Sequence, residues 1–222
     1  MKTHGSLHLA VFVDPMFQEN GYLLWTRDGP DAWSVDPGFP PQPEQLAAAV
    51  GRHKLTLRAI LLTHCHVDHI AGIDALRSAF PQVRLIAPAA EKHMLTDPDA
   101  NLSTPFGSPV STPPADQLVS PGDTLTLGKL TWQVLDVSGH SPGGTAYYCQ
   151  DAGVVITGDA LFAGGLGRTD FPGSQHERLL SNIRRHLLTL PDETVVYSGH
   201  GPATTIGDER ETNPWVGQDV DE

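Results

Sequence analysis

Four potential metal ligands crowd into six residues of this chain: His64, His66, Asp68 and His69, in the run Thr63-His64-Cys65-His66-Val67-Asp68-His69. Neutral imidazole and carboxylate are the usual donors for zinc and related divalent ions. A lone His-x-His carries little weight, because histidines also decorate surface turns, but donors at this density point to more than one ion. On an extended or turning backbone the alternate side chains at 64 and 66 converge on one ion. Positions 68 and 69, where a helix would start, then project towards a neighbouring one. Cys65 lies between two donors, and the same alternation turns it away from the ions, so a packing role is expected rather than a reactive thiol.

Three further positions share one setting, each just past an apolar run and inside a glycine-rich turn: His140 in Ser138-Gly139-His140-Ser141-Pro142-Gly143, Asp159 in Gly158-Asp159, and His200 in Gly199-His200-Gly201. Catalytic loops commonly occupy such places. Any one of them alone reads as a turn; together with the histidine run they make a candidate site. The histidines at 4, 8, 53, 93, 176 and 186 lack clustered partners and read as surface or helix residues.

These donors need elements to hold them. Residues 7–13, 20–25 and 32–35 read as a strand meander broken at Asp28-Gly29-Pro30 and Asp36-Pro37-Gly38. A helix is expected over 43–52, followed by the apolar run 59–62, so the histidine run begins where a buried strand stops. Ile73, Leu76 and Phe80 share a helical face, Pro81 ends that helix, and 83–87 returns to strand. Residues 96–122 are rich in proline, serine and aspartate without a clear period. They read as a long surface connection of the kind that borders active sites, not as a second domain. Strands are then expected at 124–127, 130–137, 145–149, 154–157 and 194–197, with a helix carrying Leu179, Ile183, Leu187 and Leu190 on one face. The second half echoes the first, and strands gathered into sheets with helices at intervals suggest a layered α+β architecture.

The 222 residues are enough to bury a full core and suit one catalytic domain over 1–222. A formal net charge of −12 leaves no basic stripe to neutralise phosphates, which weighs against a nucleic-acid partner. No charged-then-apolar leader and no membrane-length apolar run occur, so no membrane partner and a cytoplasmic location are expected. Cys65 and Cys149 are far apart, and one lies among the donors, so no disulfide is expected. Nothing in the sequence sets an oligomeric state.

The run, the later single histidine, the Gly-Asp and the final Gly-His resemble the metallo-β-lactamase superfamily, and within it the glyoxalase II-like hydrolases, over nearly the whole chain. The resemblance implies an αββα four-layer sandwich, with His64, His66 and His140 on a first metal, Asp68, His69 and His200 on a second, and Asp159 bridging both. It makes His64, His66, Asp68 and His69 the expected catalytic core. The expected cofactors are two divalent ions, zinc foremost, with iron or manganese as alternatives. Asp36-Pro37-Gly38 resembles the family's early turn beneath the site, where Asp36 either supports a ligand or only caps the turn. Two ions sharing a hydroxide lower the pKa of water enough to supply a nucleophile near neutral pH, so no serine or cysteine nucleophile is needed. A thioester suits such a site, because a departing thiolate with a free-thiol pKa near about 8.5 needs little protonation. The implied small-molecule substrate is S-D-lactoylglutathione or a similar hydroxyacyl thioester.

Arg168 lies in the glycine-rich stretch at 161–171, where a basic residue contacts glutathione in glyoxalase II relatives; from sequence it pairs equally well with a substrate carboxylate or with Asp170. Full-length glyoxalase II enzymes carry a helical C-terminal domain that helps hold glutathione. About twenty residues follow His200 here, so that domain is not expected and the chain resembles the short bacterial type. Gly167-Arg168-Thr169-Asp170-Phe171 also resembles the persulfide dioxygenases, whose single iron would here be held by His64, His140 and Asp159. Gly201-Pro202 after His200, where those enzymes carry a tyrosine-containing stretch, favours the hydrolase. A lactonase and a non-catalytic metal-binding module are further alternatives. Against the second, structural zinc is normally closed by four protein ligands, unlike this clustered set.

Overall fold

The computed structural model describes residues 1–217. Seven strands form the first sheet in chain order: β1 (Lys2–His4), β2 (Leu7–Val13), β3 (Asn20–Thr26), β4 (Asp31–Val35), β5 (Thr56–Leu61), β6 (Arg84–Pro88) and β7 (Gln117–Val119). Pairing is antiparallel as far as β4 and parallel from β4 to β7. The parallel pairs need crossovers, which α1 (Gln42–Arg52) supplies between β4 and β5, and α2 (Val67–Ile70) with α3 (Ile73–Ala79) between β5 and β6.

The second sheet contains β8 (Thr124–Leu127), β9 (Leu130–Asp136), β10 (Thr145–Cys149) and β11 (Val154–Gly158). A two-stranded ribbon, β12 (Leu161–Phe162) with β13 (Gly165–Leu166), interrupts it, and α4 (His176–Asn182) follows. The chain then re-enters the second sheet as β14 (Val195–Ser198), parallel to β11, and β15 (Thr204–Thr205), before α5 (Ile206–Thr212).

Side-chain alternation explains the layering. On β3, Tyr22 and Leu24 enter the core between the sheets, while Leu23 and Trp25 face the helix layer, so the strand is apolar on both faces. Between the sheets, Trp33 of the first meets Trp132 of the second with ring centroids 6.2 Å apart. Outside the first sheet, Leu46 and Val50 of α1 and Ile73 and Leu76 of α3 pack on Ile60 and Leu85. Outside the second, Leu179 of α4 and Ile206 of α5 pack on Ala146, Val155 and Val196. The fold is thus the αββα sandwich, helices outside and sheets inside.

Two expectations change. Residues 96–122 are not only a surface connection: they contain β7, and Asn101, Ser103 and Thr112 are buried. Asn101 explains the missing period, because its side-chain amide donates to the carbonyls of Met94 and Val110 at 2.9 Å each, doing locally what a strand ladder would do. The helix expected to carry Leu179 to Leu190 is regular only through Asn182; Ile183–Leu187 widens into a π-turn, and Leu190 lies beyond it. Cys65 and Cys149 are buried free thiols. Among the described residues no helix is long and apolar enough to cross a membrane.

Candidate metal centre

Each predicted donor follows the end of a strand, and all of these ends lie at one edge of the sandwich. The histidine run leaves β5, His140 sits in the turn between β9 and β10, Asp159 follows β11, and His200 comes two residues after the end of β14. Because β11 and β14 are parallel neighbours with Gly158 opposite Ser198, Asp159 and His200 emerge side by side. The two sheets are tied beneath the site by the Thr145 N–H, which donates to the Thr63 carbonyl at 2.8 Å. Glycine permits this closeness. A Cβ at Gly199 would collide with Asp159 Oδ1 and the His69 ring, and one at Gly158, which has φ +51°, would collide with the Thr63 hydroxyl.

The seven donors gather into overlapping groups. His64, His66 and His140 form one set, and Asp68, His69 and His200 another, with the donor atoms of each set within 4.8 Å of one another. Asp159 reaches both: its Oδ2 is 3.6 Å from His140 Nε2 and 3.4 Å from His200 Nε2, and its Oδ1 is 3.4 Å from His69 Nε2. His66 Nδ1 is 3.0 Å from His140 Nε2, and Asp68 Oδ2 is 3.4 Å from His200 Nε2. Three buried atoms aimed into this cluster, His64 Nε2, His69 Nε2 and Asp159 Oδ1, have no hydrogen-bond partner. An orphaned buried polar atom costs about 1–3 kcal/mol, so three converging lone-pair donors suit a divalent cation.

The outward nitrogens of the rings are fixed by the protein. His140 Nδ1–H donates to the Arg168 carbonyl at 2.7 Å, which leaves Nε2 free for the cluster. His64 Nδ1 lies 3.1 Å from the Thr63 hydroxyl, which itself donates to Asp36 Oδ2 at 2.7 Å. The same Oδ2 stands 3.1 Å from His69 Nδ1. Asp36, buried at φ +48°, therefore supports two candidate ligands as well as shaping the turn.

Electrostatics divide the cluster. Burial, then the neighbouring His69, pushes His64 well below the usual histidine range, and burial with His140 brings His66 down to about 3, so both are neutral donors. At His200 burial acts downward, but hydrogen bonds to Asp159 and Asp68 hold its pKa up at about 10. His69 is likewise depressed by burial and carried well above the histidine range by Asp159 and Asp68.

Several residues of the site escaped the sequence reading. Glu91, fully buried, accepts the Cys65 N–H on Oε2 at 2.6 Å and the Gly143 N–H on Oε1 at 2.8 Å, clamping the histidine run to the His140 turn. Glu19 is buried with Oε1 4.0 Å from His69 Nδ1, and its Oε2 accepts from Gln42 at 2.6 Å. Neither stands in a spacing that marks it. Cys65 packs in the apolar layer outside the first sheet, as alternation predicts. Arg168 is exposed and forks onto Asp170 at 2.9 and 2.7 Å, so its carbonyl, not its guanidinium, is what touches the cluster.

Above the donors opens a cleft of about 340 Å³, floored by His66, Asp68, His140, Asp159 and His200. Its size falls in the range of small-molecule sites.

Comparison with known proteins bears on the family and the fold. The pattern of the Metallo-beta-lactamase superfamily matches residues 17–200. The chain is 40% identical over 200 residues to "Probable metallo-hydrolase YqgX" of Bacillus subtilis (strain 168), covering 90% of this chain and 92% of that protein. It is 35% identical over 212 residues to hydroxyacylglutathione hydrolase GloC of Haemophilus influenzae, covering 95% and 98%. Among solved structures, the BLEG-1 B3 metallo-beta-lactamase superposes with a TM-score of 0.88 at 41% identity, over 94% of this chain and 99% of that one. TTHA1623 in a di-iron-bound form gives 0.79 at 36% identity over 92% and 98%. ETHE1 from Myxococcus xanthus gives 0.76 at 30% identity over 94% and 84%. With its αββα layers and its His/Asp cluster at the sheet edge, the chain belongs to the metallo-β-lactamase superfamily of metal-dependent hydrolases.

Proposed function

We propose that this chain is a thioester hydrolase whose site holds two divalent ions, with a hydroxyacyl thioester, the class to which S-lactoylglutathione belongs, as its substrate. The observation that carries the reading is the convergence of His64 Nε2, His69 Nε2 and Asp159 Oδ1, buried and without hydrogen-bond partners, between two three-residue donor groups. His64, His66 and His140 would hold one ion, Asp68, His69 and His200 the other, and Asp159 would lie between them. When bound, such ions lower the pKa of water and polarise a carbonyl. Zinc, iron and manganese all suit this donor set, and the similarity to a di-iron protein keeps iron among them. Asp36 and the Arg168 carbonyl orient the imidazoles, so the donors are fixed before substrate arrives. The cleft would let a substrate carbonyl reach the donor floor. The likeness to hydroxyacylglutathione hydrolase GloC supports the thioester as the bond cleaved.

One other reading is kept open by the likeness to ETHE1 from Myxococcus xanthus: a persulfide dioxygenase whose single iron would be held by His64, His140 and Asp159. Such a site leaves Asp68, His69 and His200, an equally tight group, without a purpose. The test is metal content of protein from cells supplied with zinc, iron and manganese, together with turnover of thioesters, a lactone, a β-lactam and glutathione persulfide. Two ions per chain, with thioester hydrolysis falling at least about a hundredfold in His66→Ala, are expected. One iron per chain with persulfide-dependent oxygen uptake, or a β-lactam or lactone preferred over every thioester, would overturn the proposal.

A further inference from the structure

The walls of the cleft differ in character from its floor. Phe17, Leu102, Phe106, Phe162, Leu166 and Phe171 surround the donors, and all are at least partly open to solvent. Partly exposed apolar side chains gathered around a polar floor mark a binding surface rather than a core. Phe17 stacks on Phe39 at 5.3 Å and meets the edge of Phe106 at 5.1 Å, which gives one aromatic wall. Phe171, edge-on to His66 at 5.6 Å and to His140 at 5.8 Å, belongs to the other.

Both segments of the first wall are anchored. Asp14 fixes the turn carrying Phe17 by accepting the N–H groups of Met16 and Phe17 at 2.7 and 3.1 Å. The Asn101 carbonyl accepts the Val67 N–H at 2.9 Å, joining the loop that carries Leu102 and Phe106 to the start of α2.

Charge tells the same story by what it lacks. Among the described residues, Arg168 is the guanidinium or ammonium group that lines the cleft, and it is committed to Asp170 while lying 4.6 Å over the Phe171 ring. The carboxylates of glutathione would find no unpaired guanidinium or ammonium group on these walls.

We infer that the cleft selects thioesters whose thiol half is apolar and aromatic, with the small acyl group over the donors and the thiol body between the phenylalanine walls. This rests on the thioesterase reading above. It departs from glutathione as the carrier thiol.

Two thioesters with the same lactoyl group, one of benzyl mercaptan and one of glutathione, test it on the metal-loaded protein. The benzyl ester is expected to show a kcat/KM about tenfold higher, mainly through KM, as one buried aromatic contact provides. Phe106→Ala and Phe17→Ala should each cut that ratio by about tenfold. Phe106 is 53% exposed, so its truncation leaves the fold standing, and the urea midpoint verifies this. A wild-type ratio of one or less, or a ratio unmoved by both substitutions, would overturn the inference.

If neither ester is cleaved, the thioesterase reading falls, and calorimetry with two uncleavable thioethers decides the cleft by itself. Tighter binding of benzyl methyl sulfide than of S-methylglutathione sustains the apolar cleft; equal or weaker binding sinks it.

Discussion

Asp36 and Glu91 show how carboxylates that touch no metal can still govern a metal site. Asp36 receives the Thr63 hydroxyl and backbone N–H and faces His69 Nδ1, so one side chain sets two imidazoles. Asp36→Asn keeps the shape but offers an amide N–H₂ where an acceptor is needed. Metal affinity in a chelator competition is expected to fall about 10- to 100-fold, with the fold intact by circular dichroism. Glu91→Ala strands two buried N–H groups and should cost about 2–5 kcal/mol in urea unfolding, while Glu91→Gln, whose amide oxygen still serves one of them, recovers about half. Equal loss in both variants would show that Glu91 acts through its charge alone. The candidate donors were legible because metal chemistry restricts such residues to a few types at short spacing in 64–69. Glu91 was not, because its partner Gly143 is 52 residues away and only the folded chain brings the N–H to it.

At the scale of elements, long apolar runs announced themselves: β2, β5, β9, β10 and β11 and the helix α1 stand where periodicity puts them. Short elements did not. The strands β1 and β7 have three residues each, too few for alternation to register, and they exist because a neighbouring edge offers unpaired N–H and C=O groups. Nor does sequence show why turns in different elements carry glycine; the reason is the steric meeting of β11, β14 and the histidine run. Gly199→Ala tests that meeting. Its Cβ would press on Asp159 Oδ1 and His69, so the loop after β14 must retreat. Overpacking of this kind costs about 1–3 kcal/mol of stability. Metal occupancy by mass spectrometry should fall by more than half, although no ligand has been changed. Full occupancy with unaltered turnover would mean that the loop has slack the structure does not show.

The whole molecule is a sandwich whose inner layer supports the site from below with two phenols. Tyr147 donates its hydroxyl to the Leu62 carbonyl at 2.7 Å, directly before the histidine run, and Tyr22 donates to the Ser198 carbonyl at 2.5 Å, directly before Gly199. Both are fully enclosed, and burial raises both phenols well above the usual tyrosine range. Burial also raises the Cys149 thiol. All three shifts have one sign. A group whose folded pKa exceeds its unfolded value contributes stability that is complete below the unfolded pKa and is lost as pH rises towards the folded one. The unfolded values are about 8.5 for the thiol and about 10 for the phenols, so the share of these three groups should begin to be lost near pH 8.5 and more steeply above about 10. Each group then removes about 1.4 kcal/mol per pH unit, because the unfolded chain ionises while the folded one cannot. Urea midpoints of the metal-free chain measured from pH 7 to pH 11 should therefore fall throughout, at first through the raised His69 and His200 and with increasing slope above about 8.5. Tyr147→Phe should lower the midpoint at pH 7 by about 1 kcal/mol, through the lost bond to Leu62, and flatten the alkaline limb by one group's share. A midpoint constant to pH 11, or a limb as steep in Tyr147→Phe as in wild type, would contradict this role for the inner layer.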